Sequence, residues 1–147
     1  MIYCFSKKSE KTYEFDLLSI GDRFKSEELQ NQVSDVSFSC ECRPSYRVRD
    51  GDNECAFFTF DINHSQQCSE HHILIYEIYI LSQYRRCGIG SCILDFIKER
   101  AKILNFHRIL VRPISLSSST KDVKPFYQKN GFKLTCDDEN LMEFLIF

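Results

Sequence analysis

The residues best suited to chemistry crowd into Leu81–Arg100, LSQYRRCGIGSCILDFIKER. Arg85 and Arg86 stand just before Gly88 and Gly90, and the glycines open an apolar run. The first amides of a helix have no internal acceptors and carry a partial positive charge. A glycine there has no Cβ to hold a bulky anion away, and two arginines add charge. Such a pattern can cradle a phosphate or diphosphate. A turn glycine flanked by solvated arginines would look the same locally, so the pattern alone leaves both readings open. No Gly-Lys-Ser/Thr follows, which excludes a P-loop. The third glycine of a dinucleotide fingerprint would fall at Ile93, which disfavours NAD.

The other chemistry-bearing residues form no comparable constellation. Eight cysteines, at 4, 40, 42, 55, 68, 87, 92 and 136, include no CxxC pair. Cys40 and Cys42 have no second pair at zinc-finger distance, so no metal site is expected. Cys55 and Cys92 stand where small buried residues belong, and reduced, inert thiols are expected. Adjacent His71 and His72 would point to opposite faces of a strand, so a solvated loop edge is expected instead of a ligand pair.

The elements that must position the glycine turn follow from the sequence pattern. HILIYEIYIL, ending at Leu81, is β-branched, aromatic and almost uniformly apolar, so it reads as a central strand buried on both faces. Apolar residues at 89, 93, 96, 97, 101 and 104 give the following segment helical spacing, ending near Asn105. HRILVRPI then reads as a short strand, and SLSSST as a polar loop. Thr120 is placed to cap a helix that runs to about Asn130, contains Pro125 and stops at Gly131. FKLTCDD and LMEFLIF read as two last strands. Upstream, Tyr13–Ile20 reads as a strand broken by Gly21, and Ser26 caps a short helix over 25–33 with Glu27 and Glu28 in its first turn. YRVRDGDNECAFFTFDI reads as a hairpin turning at Asp50-Gly51. At 147 residues, 43% of them apolar, the whole is read as one domain, residues 1–147, of mixed α/β order. A net charge of −2 argues against a partner gripped mainly through phosphates, so nucleic acid is not an expected partner. No apolar run reaches a membrane span, and MIYCFSKKSEK lacks a signal-peptide layout, so the expected compartment is the cytoplasm.

Arg85-x-x-Gly88-x-Gly90 resembles the Q/R-x-x-G-x-G/A acetyl-CoA motif of the GNAT superfamily of N-acetyltransferases. EIYILSQYRRCGIGSCIL resembles that family's strand–loop–helix, and VKPFYQKNGFKL resembles its later F-Y-x-K-x-G-F signature. The likeness is sharp over Ile73–Leu134. Arg86 stands where the family usually has glycine, and Thr120 where it often has Asn. The resemblance implies a GNAT fold: a mixed, mostly antiparallel sheet of about six to seven strands, flanked by helices and splayed between the fourth and fifth strands. It implies acetyl-CoA as co-substrate and no metal. The pantetheine arm would bond to the backbone of Ile78, Tyr79 and Ile80. The diphosphate would meet Arg85, Arg86, Cys87, Gly88, Ile89, Gly90 and Ser91, with Thr120 and Phe126 also on the cofactor.

The same resemblance makes Tyr127 the acid that protonates the departing thiolate; a phenol stays protonated at neutral pH. Glu77 lies beside the implied thioester position as the general base, and the amide of Ile80 would polarise the carbonyl. The implied activity is acetyl transfer to a primary amine, with a small-molecule acceptor preferred. Acetylation of a protein amine or an aminoacyl-tRNA, and a non-catalytic acetyl-CoA sensor, are the alternatives. A homodimer through the apolar C-terminal strand is a further implication.

Overall fold

The computed structural model describes residues 2–5, 12–32, 42–63, 72–113, 123–136 and 140–146. Eight strands form one sheet: β1 (Ile2–Phe5), β2 (Tyr13–Leu17), β3 (Ser45–Asp50), β4 (Asn53–Asn63), β5 (His72–Ile80), β6 (Arg108–Val111), β7 (Lys133–Leu134) and β8 (Met142–Leu145). Their order across the sheet is β1-β2-β3-β4-β5-β6-β8-β7. Every neighbouring pair is antiparallel except β5 and β6. That parallel pair needs a crossover, which α2 (Ile89–Ile103) supplies. Among the described residues the other α-helices are α1 (Glu27–Gln32) and α3 (Lys124–Lys129). The mixed, mostly antiparallel α/β sheet expected from the sequence is therefore present. Ile2–Phe5 adds an edge strand to the expected set, so the junction foreseen between the fourth and fifth strands falls between β5 and β6.

The core lies on both faces of the sheet. On one face α2 presents Ile89, Ile93, Phe96 and Ile97 to Phe15, Tyr46, Phe58 and Phe60. Tyr46 stacks on Phe58 at 5.1 Å between centroids, and Phe96 meets Tyr46 edge-on at 4.9 Å. Edge-to-face and offset packing of this kind matches the quadrupoles of the rings. On the other face Leu29 of α1 covers Leu18, Phe24, Phe57, Tyr79 and Leu81. The Ser26 hydroxyl accepts from the Leu29 amide at 3.2 Å, the N-cap that the sequence predicts. Glu28 of α1 accepts from the Ser82 amide and hydroxyl at 3.2 and 2.9 Å, which ties α1 to the turn after β5.

The sequence pattern and the structure differ in several places. β2, expected to run from Tyr13 to Ile20, stops at Leu17, because the Leu18 amide turns to the Ser45 carbonyl and Asp22 accepts from the Ser19 amide. β5 is central, yet Tyr76 is 52% exposed, so the strand is not buried throughout on both faces. His72 is buried in that strand and is not part of a solvated edge. Val123, not Thr120, occupies the cap position of α3, and Thr120 itself lies outside the described residues. LMEFLIF does supply a strand, but β8 is paired on both sides, by β6 and by β7. Cys55 and Cys92 are buried, where small residues were expected, while Cys42, Cys87 and Cys136 are exposed; none of the five forms a disulfide among the described residues. Cys40, Cys68 and His71 lie outside the described residues. Among the described residues, no group of three metal-ligating side chains occurs, and no helix is long and apolar enough to cross a membrane.

Candidate active site

The site is built by the parting of two strands. β6 pairs with β5 only from His72↔Arg108 to Ile75↔Val111. The next residue of β5, Tyr76, has no counterpart in β4: Ile75 faces Phe60, whereas Glu77 faces Thr59. This is a β-bulge, which bends a strand and increases its local twist. It lies where β5 leaves β6, so the backbone of Tyr76–Ile80 runs on without β6 beside it. The bulge also changes the side-chain alternation. Ile73 and Ile75 pack on the α2 side, and after the bulge Ile78 and Ile80 do so.

A cleft of about 280 Å³ fills the gap, lined by Leu74–Ile78, Val111, Arg112 and Tyr127. Glu77 and Tyr127, 50 residues apart in sequence, thus both line this cleft, nearly buried at 5% and 7% exposure. Burial pushes the Tyr127 phenol well above its ordinary value, so it holds its proton throughout the physiological range. The Thr59 hydroxyl opposite Glu77 donates to the Pro44 carbonyl at 2.9 Å and accepts from Ser45 at 3.2 Å.

At the C-terminal end of β5, the chain passes through a 3-10 turn, Ser82–Tyr84, into the glycine loop. The Arg85 guanidinium donates to the Ile80 carbonyl at 3.2 Å and lies 5.7 Å from the Tyr79 ring. Arg86, Cys87 and Gly88 are exposed. Arg86 has φ +64 and Gly88 φ +85, so the loop makes two left-handed turns before α2 begins. Cys92 is the first α2 residue whose amide bonds back, to the Gly88 carbonyl at 3.1 Å. Among the described residues, no backbone carbonyl outside regular elements accepts the amides of residues 86–91. They form the donor array an anion needs.

The two glycines serve different ends. Gly88 needs its left-handed φ, and a Cβ there would meet nothing within 4 Å. Gly90 has an ordinary helical backbone, but a Cβ would lie 2.8 Å from Cε1 and Cζ of Phe126. The close approach that Gly90 permits within the fold is to a ring of α3. Sequence reasoning missed this contact, because nothing local pairs residue 90 with residue 126. It also missed Arg112 and Tyr76 as cleft-lining residues; a parallel strand ending at the gap was the available signal for Arg112.

Comparison with known proteins accords with this geometry. The Acetyltransferase (GNAT) domain family matches residues 45–134, more than half of the chain. No curated protein matches in sequence. Among solved structures, the KacTA–DNA complex aligns with a TM-score of 0.68 at 14% identity, covering 91% of this chain and 93% of that one. A GNAT family acetyltransferase of Elizabethkingia anophelis with acetyl-CoA bound aligns at 0.62 and 14% identity, covering 90% and 97%. The ribosomal-protein-S18-alanine N-acetyltransferase of Escherichia coli aligns at 0.58 and 12% identity, covering 91% and 94%. The chain belongs to the GNAT acetyltransferase family, and its activity class is acyl-CoA-dependent N-acyl transfer.

Proposed function

We propose that the protein moves the acetyl group of acetyl-CoA directly to a primary amine of a small molecule. The observation that carries the reading is the meeting of Glu77 and Tyr127 on one cleft, at the point where β5 leaves β6. In this reading the diphosphate lies on the amides of Arg86–Ser91, with Arg85 and Arg86 adding charge. The pantetheine arm runs along Ile78–Ile80 as a substitute for the missing strand partner. Thr120 and Phe126 complete the cofactor's surroundings.

The chemistry has three requirements. The acceptor's ammonium must lose a proton before its nitrogen has a lone pair, and Glu77 accepts it directly or through a water. The nitrogen then bonds to the thioester carbon, while the Ile80 amide stabilises the charge gathering on the carbonyl oxygen. As the carbon–sulfur bond breaks, the sulfur takes the proton held by Tyr127, the nitrogen gives its second proton to water to become the neutral amide, and Glu77 and the phenolate exchange protons with solvent to reset the site. The raised pKa of Tyr127 keeps it loaded for each cycle.

A net charge of −2 favours this acceptor class over a polyanionic one. A fold shared with a DNA complex and with a bacterial toxin supports a macromolecular acceptor only as fold likeness. The test is thiol release from acetyl-CoA across a panel of amines. Tyr127→Phe should lower kcat by about 10²-fold or more, the scale of general acid catalysis, while calorimetric affinity for acetyl-CoA holds within about twofold. Glu77→Gln should lower kcat/KM on a similar scale. Tight acetyl-CoA binding with no turnover on any amine would assign the chain to a sensor role instead.

A further inference from the structure

We propose that Gly90 is a positioning residue for Tyr127: its bare Cα seats the Phe126 ring, and that contact sets where α3 holds the phenol. The proposal rests on the reading of Tyr127 as the acid. Its geometry is independent of that reading. Gly90 is buried, and the space a Cβ would occupy is already filled by Phe126 at 2.8 Å, with Cδ1 of Ile80 at 3.4 Å. A side chain at residue 90 would therefore press on α3 and not on the exposed loop where a diphosphate arrives.

Phe126 passes that pressure on. Its ring meets Tyr127 edge-on at 5.0 Å, and Tyr127 meets Phe132 in the same manner at 5.5 Å. α3 has only six residues, too few to hold a helix without outside contacts. Its far end is fixed to α2 as well: the Lys98 ammonium donates to the Asn130 backbone carbonyl at 2.6 Å, and the Asn130 side-chain NH2 donates to the Phe126 carbonyl at 2.9 Å. One helix therefore presents its first amides to the loop and also holds the acid at two points along its length. The loop and the proton donor share one rigid part.

The experiment uses the full chain with four variants: Gly90→Ala, Phe126→Leu, the two combined, and Gly90→Ala in a Tyr127→Phe background. Gly90→Ala should lower kcat at saturating acetyl-CoA about tenfold or more, since small displacements of a catalytic group carry such penalties, and the fold-loss in kcat should exceed any fold-loss in coenzyme A affinity by calorimetry. The double variant should be no slower than Phe126→Leu alone, because residues acting through one contact are not additive. In the Tyr127→Phe background, Gly90→Ala should cost nothing further. Weakened coenzyme A binding with kcat retained would overturn the proposal, as would losses that multiply in the combined variants. Were Gly90→Ala unfolded by circular dichroism, Phe126→Leu alone decides, and unchanged kcat there would also overturn it. A fully active Tyr127→Phe protein would instead remove the acid reading, a separate result.

Discussion

Arg86 shows how a single residue can be at odds with its backbone. It adopts φ +64, a region where a side chain costs roughly 1–2 kcal/mol relative to glycine. Arg86→Gly should therefore raise unfolding free energy by about 0.5–1 kcal/mol, after allowance for the looser unfolded chain. Urea denaturation would measure it. The same change removes a cation from the proposed diphosphate loop, so affinity for coenzyme A should fall while stability rises. The strain was only indirectly legible: the sequence shows Arg where the resembling family has glycine, but not the sign of φ. The identities of Glu77 and Tyr127 were legible through motif likeness. The same likeness implied that they meet at the thioester; the residue pattern alone implied no such meeting, because it depends on which strands neighbour each other. Gly88 and Gly90 looked alike in sequence and differ in the structure, one through its dihedral angle and the other through a ring 36 residues away.

Between α2 and α3 the contacts are few and directional. Lys98 donates to a terminal carbonyl of α3 and lies 4.2 Å from the Phe144 ring centroid. A cation at a helix C-terminus also complements its dipole. Lys98→Met keeps the stem's packing and deletes the ammonium. It should lower stability by about 1.5–3 kcal/mol, the range for a hydrogen bond to a charged group, as read by thermal or chaotrope melts. α2 itself was legible almost to the residue, because its apolar spacing is regular and Asn105, with φ +62, ends it. The hairpin of β3 and β4 was legible from Asp50-Gly51. The bulge in β5 was not. HILIYEIYIL is apolar at nearly every position, so no alternation exists whose phase could be seen to change. β1 was missed for a different reason: it is a four-residue edge strand whose pairing with β2 is its main support.

Across the molecule, one network of ion pairs links three neighbouring strands, β2, β3 and β4. Arg49 binds Asp16 at 2.5 Å and Glu14 at 2.6 Å, and Arg47 bridges Asp16 and Glu54 at 3.4 and 3.3 Å. Arg49 foremost holds the Asp16 carboxyl below its ordinary value. A carboxylate lowered in this way stabilises the fold fully above its unfolded pKa of ~3.9, and that contribution drains away as pH falls through the lower folded value. Asp16→Asn should therefore be less stable than the parent near pH 7, and the gap should narrow as pH falls below the unfolded carboxylate value of ~3.9. A gap that stays constant through the whole acid limb would refute the assignment. The layout of the sheet from β3 onward was legible in outline, since each strand and helix there has its own pattern. The order β8 before β7 at the edge was not, because LMEFLIF and FKLTCDD carry no mark of which joins β6.

Against β4, β5 carries one surplus amino acid. Take Tyr76 out, and Ile75 and Glu77 would still stand opposite Phe60 and Thr59, with the ribbon now regular from end to end. Such a shortened protein would keep its ladder intact and lose the bend that leads it away from its parallel neighbour. Folding does not call for that extra link; an opening between two strands does.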